Sequence, residues 1–225
     1  MASDVVRSGL EQESSLFQRF AAISALIIGL GGIGYAAAFV FVLHSNPKGA
    51  EILRELLLML GGPLTAAVFI ALRNRVRHVD AAFAVWALLI GAVAGLGSSL
   101  HGGYDLANAV KEPPPGTPDI SFLPHQADPR GLFTFLFQAL AIATFSWLLI
   151  QGRVFPARFA FVGFGTAALL AALYAGRLTV YNPKSPGLYA LALITGFGAI
   201  PIWYGWLGLL LWRGRTPARG AAAVP

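Results

Sequence analysis

Two pairs of ionisable residues in this chain are spaced for joint chemistry: His101 with Asp105, and Glu51 with Glu55. Each pair is four residues apart, so on a helix its members share one face and could offer two ligand atoms to a metal ion or a polar substrate. Arg177 would be the nearest counter-charge, while His44, Tyr104, Asp128, Arg130 and Tyr181 fall at the same ends of the apolar runs. The simpler reading is helix capping and interfacial ion pairing, with Arg177 beside Asp105 or Glu51. His44 and His101 could also be imagined as axial haem ligands, but two lone histidines at run ends carry little weight. No cysteine is present, so disulfides, thiolate metal sites and thiol catalysis are excluded, and the residues imply no cofactor.

The elements that would position these groups are membrane helices. The 225 residues are 56% apolar and only 12% charged, with a mean hydropathy of +0.68, outside the usual soluble range. Six apolar segments are long enough to cross a hydrocarbon layer about 30 Å thick, which takes roughly 20 helical residues. They run from Phe20 to Leu43, Ile52 to Leu72, Ala81 to Leu100, Leu132 to Ile150, Phe159 to Gly176 and Leu188 to Trp212. Runs this long without polar alternation do not resemble barrel strands. The expected fold is all-α, a polytopic bundle of six transmembrane helices arranged as three hairpins. Residues 1–19 would be an N-terminal cytoplasmic segment, 20–213 the bundle with an outer loop at 102–131, and 214–225 a flexible cytoplasmic tail.

The hairpin pattern comes from three similar triplets: Asn46-Pro47-Lys48, Asp128-Pro129-Arg130 and Asn182-Pro183-Lys184. Asn or Asp accepts a hydrogen bond from an unpaired N–H at a helix start, and Pro suits the next position because its missing N–H is not needed there. Each triplet therefore marks the outer start of helix two, four or six. Gly61-Gly62-Pro63 and Gly198-Ala199-Ile200-Pro201 place a proline at similar depth in helices two and six, a further echo of duplication.

Charge sets the expected orientation. The net charge is +6 and the pI near 10.1, yet the basic residues lie at the ends of apolar runs rather than on one face, which argues against a nucleic-acid partner. Ten of the 16 Lys and Arg fall on the side of Arg73, Arg75, Arg77, Arg153 and Arg158, so both termini are expected in the cytoplasm. Trp86, Trp147, Trp206 and Trp212 gather at that same side, as an aromatic belt would.

Inside the spans the polar inventory is thin. Gln138 is the most polar group at depth, joined by Thr65, Tyr174 and Thr195 as candidate lining, and by Ser24, Thr144, Ser146 and Thr166. Hydroxyls in such positions usually bond a neighbouring helix or the carbonyl four residues back. Gly29, Gly31 and Gly34 match G-x-G-x-x-G with Glu51 downstream, but a nucleotide fingerprint joins a strand to a helix, and this one sits inside an apolar span. Close helix approach explains it better, as it does Gly91 and Gly95. Between helices three and four, Lys111 to Pro118 carries four prolines and reads as a stiff spacer, with Phe122, Leu123 and His125 following as a candidate lid.

The stretches His101-Gly102-Gly103-Tyr104-Asp105-Leu106-Ala107-Asn108, Asp128-Pro129-Arg130-Gly131 and Ile202-Trp203-Tyr204-Gly205-Trp206-Leu207-Gly208 resemble a family of uncharacterised bacterial multi-pass membrane proteins. The resemblance covers most of the chain and implies a cell inner membrane location and a compact bundle, with no activity attached. A non-enzymatic binding, scaffold or accessory subunit is the first functional expectation, its partners the lipid bilayer and either another membrane protein or a second copy. The alternative is a small-molecule or lipid transporter with a site between the hairpins. A metal-dependent enzyme built on His101, Asp105, Glu51 and Glu55 stands third.

Overall fold

A computed structural model describes residues 2–111, 132–179 and 185–214. Among the described residues there is no strand, and six helices are long and apolar enough to cross a membrane. The chain is a multi-pass membrane protein. We number the helices α1 to α6. Helix α1 runs Ala2–Ala37 and continues through a π-helical segment, Ala38–Val42, into Leu43–Ser45. Helix α2 is Pro47–Val76, α3 is Ala81–Val110, and α5 is Ala157–Thr179. Helix α4 opens as a π-helix, Leu132–Phe137, before Gln138–Gln151, and α6 joins Pro186–Leu193, a π-helical Ile194–Ala199, and Ile200–Trp212.

Local chemistry explains the boundaries. Asn46 leaves helical geometry and its Oδ1 accepts from the Gly49 N–H at 3.0 Å, with Pro47 opening α2, as the triplet predicts. Asp80 caps α3 in the same way through the Phe83 N–H, also at 3.0 Å. Residues 128–130 and 182–184, the other two triplets, lie outside the described residues, as do residues 118–125 and the tail from 215. Helix α6 begins after Ser185, with Pro186 in its first turn. Helix α3 continues ten residues beyond the Leu100 limit that hydropathy suggests, to Val110, so Gly102 to Val110 are helix rather than loop. Apolar content measures what lipid accepts, whereas Tyr104, Leu106, Ala107 and Ala109 remain sound helix formers past the hydrocarbon edge.

Consecutive helices pack side by side around a ring, and α6 closes it against α1. The outer surface stays apolar, with Leu30, Phe41, Leu96 and Phe161 all well exposed, as a lipid-facing wall requires. Inside, aromatic rings fill the axis. Phe69 of α2 stacks on Phe145 of α4 at 5.5 Å, and Phe159 of α5 stacks on Trp203 of α6 at 5.9 Å. Phe69 lies 6.5 Å from Trp203, which meets Tyr204 edge-on at 4.7 Å, and every one of these side chains is fully buried. Such pairs contribute about 0.5–1.5 kcal/mol each beyond the area they cover.

The two echoed prolines are accommodated differently. In α6 the chain widens to a π-turn just before Pro201, with the Ile200 N–H reaching the Thr195 carbonyl. This relieves the clash of the ring with the carbonyl four residues back. Helix α2 stays α-helical through Pro63 and depends on a neighbour instead.

Candidate functional site

Helices α2 and α3 approach until backbones touch, and this contact builds the site. A Cβ on Gly62 would fall 2.2 Å from the Gly95 carbonyl oxygen, and one on Gly95 would fall 2.7 Å from that of Gly62. Further along, a Cβ on Gly102 would lie 2.5 Å from both the Glu55 carbonyl oxygen and the Met59 N. Only glycine permits this spacing at these positions. Between the two contacts Ser99 Oγ donates to the Met59 carbonyl at 3.0 Å.

Gly102 pressed on Glu55 sets the register, so its neighbours His101 and Asp105 come to face the Glu55 side chain. Single ligand atoms from Glu55, His101 and Asp105 all lie within 4.8 Å of one another. His101 Nε2 is 3.3 Å from Asp105 Oδ2, and His101 Nδ1 is 3.5 Å from Thr134 Oγ1 in the π-helical start of α4. Glu55 is only 5% exposed, and its Oε2 is buried with no hydrogen-bond partner. Arg54 NH2 stands 3.6 Å from Glu55 Oε1, and its guanidinium lies over the Phe39 ring, 5.5 Å from the centroid. Glu55 is eight residues into α2, about 12 Å along the helix from Pro47, so the cluster sits close to one end of the bundle.

The i, i+4 pair His101 and Asp105 and the carboxylate Glu55 are thus brought together as their spacing suggests. Glu51, one turn earlier on α2, stands outside the three-residue cluster. The side chains of His44 and Arg177 lie outside the described residues. Thr134 and Arg54 were not legible as members of the site, because a hydroxyl in an apolar run and a cation near a helix start carry no signal of partner.

A second polar group lies deeper. Gln138 Nε2 donates to the Tyr204 hydroxyl at 2.8 Å, and Tyr204 is also hydrogen-bonded with Thr65. Of the four candidate lining residues, Gln138 and Thr65 therefore meet at Tyr204, which sequence reasoning did not single out. Thr195 turns its hydroxyl to the Leu191 carbonyl at 2.8 Å, and Tyr174 is half-buried on α5. Back-bonding of this kind recurs at Thr65 to Gly61, Thr144 to Leu140 and Thr166 to Val162. The glycines of the G-x-G-x-x-G match serve helix contact: a Cβ on Gly29 would lie 3.3 Å from the Gly205 N of α6.

The opposite end is tied by hydrogen bonds rather than by a cluster. Gln18 Nε2 donates to the Leu211 carbonyl at 2.6 Å, and Arg75 donates to Gln18 Oε1 at 2.5 Å, joining α1, α2 and α6. No protein-family model, curated protein or solved structure matches the chain.

Proposed function

We propose that this protein is a non-enzymatic binding or accessory subunit of the cell inner membrane, with both termini in the cytoplasm and the Glu55, His101, Asp105 cluster facing outward. The orientation rests on arginine: Arg73, Arg75, Arg77, Arg153, Arg158 and Arg213 stand at the end opposite the cluster, and short basic loops stay on the cytoplasmic side. Exposed Trp86, Trp147 and Trp212 at that end support the same direction.

One observation carries the binding reading. Phe69, Phe145, Phe159 and Trp203 pack across the axis with no exposed surface, so a polar solute entering from the His101 end meets a wall of rings. Recognition groups at one face above a sealed core suit a protein that binds and holds. The test is reconstitution of the full chain in liposomes carrying proton- and Zn²⁺-sensitive dyes. Fluxes equal to those of protein-free vesicles are expected, together with a second copy or another membrane protein retained in native mass spectrometry. Flux above that baseline would overturn the reading.

A transporter is the second reading, favoured by the π-helical segments of α4 and α6. Both flank the bond between Gln138 and Tyr204, and a π-bulge that migrates shifts helix register past such a contact. In that case flux would appear and would fall on Gln138→Leu.

A further inference from the structure

We propose that Glu55, His101 and Asp105 form a binding site for a divalent first-row transition ion of the Zn²⁺ class. The inference rests on the binding reading above and names its ligand.

Geometry supplies the first argument. Tetrahedral Zn²⁺ with bonds of about 2.0–2.2 Å holds its ligand atoms about 3.3–3.6 Å apart. His101 Nε2 and Asp105 Oδ2 already stand at 3.3 Å, and the third ligand atom, from Glu55, lies within 4.8 Å of both. A rotamer adjustment of the Glu55 carboxylate closes the remaining gap. Three protein ligands leave a fourth position for water or an incoming group, the pattern of an open site rather than a purely structural one.

The second argument is an orphaned charge. Glu55 Oε2 is buried without a donor, although a carboxylate oxygen in such surroundings demands a cation or a hydrogen bond. Arg54 engages the other oxygen, Oε1, at 3.6 Å, beyond hydrogen-bond range. In the geometry observed, Arg54 at Oε1 and His101 at Asp105 leave Oε2 without a donor, and the Arg54 Nε is buried unpaired as well. A metal ion supplies what is missing.

Thr134 gives the third. Its Oγ1 stands 3.5 Å from His101 Nδ1, and in the tautomer with the proton on Nδ1 it accepts that N–H and leaves the Nε2 lone pair on the Asp105 side. An outer partner that fixes the tautomer of a histidine is the usual companion of a metal ligand. One imidazole nitrogen with two carboxylates selects Zn²⁺, Mn²⁺, Fe²⁺ or Co²⁺ over Ca²⁺ and Mg²⁺, which prefer oxygen throughout.

The test uses the full chain in detergent micelles, stripped with a chelator, titrated with Zn²⁺ by calorimetry and with Co²⁺ by visible absorption. One equivalent of either ion is expected, with Co²⁺ bands of a low-coordinate nitrogen and oxygen site and a rise in melting temperature. His101→Ala, Asp105→Asn and Glu55→Gln should each weaken binding about tenfold or more. His78→Ala, exposed at the opposite end, should leave it unchanged. Circular dichroism and the melting temperature of each metal-free variant separate lost folding from lost binding. Absence of stoichiometric binding by the folded parent chain, undiminished binding by a folded His101→Ala chain, or equal competition from Mg²⁺ would overturn the proposal. Failure of the two readings is distinguishable: Zn²⁺ binding with vesicle flux overturns the non-transporting role and keeps the site, whereas neither binding nor flux overturns the site alone.

Discussion

Ser99 Oγ hydrogen-bonds the Met59 carbonyl, and Met59 is the residue four before Pro63. A proline inside a helix has no N–H for that acceptor, so α3 furnishes the bond that α2 cannot make for itself. Pro63 and Ser99 therefore act as one unit, and the unit lies beside the glycine contacts that hold the two helices together.

Ser99→Ala should cost about 1 kcal/mol in unfolding experiments in micelles, because the Met59 carbonyl is left without a partner. In a Pro63→Ala background the same substitution should cost far less, since position 63 regains a backbone N–H. A double-mutant cycle with no coupling between the two positions would sink the account.

Neighbouring glycines should respond in opposite ways. Gly102→Ala drives a methyl to 2.5 Å from α2 backbone atoms, so a loss of about 1–3 kcal/mol is expected along with weaker Zn²⁺ binding. Gly103→Ala meets only the Met59 side chain, its sulfur at 3.7 Å and Cγ at 3.8 Å, ordinary contacts, and should be neutral or stabilise α3 by up to about 1 kcal/mol. Paired thermal melts of the two variants decide the matter.

Tyr204→Phe removes the acceptor of the Gln138 amide and should destabilise the bundle by about 1 kcal/mol. Adding Gln138→Leu should recover part of that loss, because an apolar pair leaves no buried amide unsatisfied. Losses that simply add in the double variant, measured by chemical unfolding, would show that the bond contributes nothing.

Gln18→Leu should loosen the far end without touching the cluster. The Leu211 carbonyl loses its side-chain donor, keeping only the Gly214 N–H at 3.2 Å and the Arg213 N–H from the backbone, and Arg75 loses one of its partners. Faster amide exchange is expected in the last turns of α6, up to Trp212, while Zn²⁺ affinity stays at its parent value. Hydrogen exchange read by mass spectrometry checks both halves.

Much of the fold was legible because hydropathy and helix starts are local properties. Six apolar runs gave six helices, and Asn46-Pro47 gave the start of α2. The site was half legible. Spacing alone put His101 and Asp105 on one face, but spacing treats Glu51 and Glu55 alike. What distinguishes them is the register of α2 on α3, fixed by Gly62, Gly95 and Gly102 across two helices, and no window along the chain contains that contact. The proline echo shows the same limit. Pro63 and Pro201 look equivalent in sequence, yet one borrows a hydroxyl from α3 and the other widens its own helix, a difference decided by which neighbour is near.

Closure of the ring by α6 against α1 also fixes an order of assembly. At about 5–20 residues per second, some 170 residues separate the completion of α1 from that of α6, so roughly 10–30 s pass in synthesis. Throughout that interval the Gly29 and Gly32 surface of α1 waits for Gly205, Pro201 and Ile200, and only lipid or a chaperone can cover it. One side of the first helix finds α2 early, but its other side is thus the last surface to be covered, and a ribosome that stops early leaves behind a bundle with an open seam.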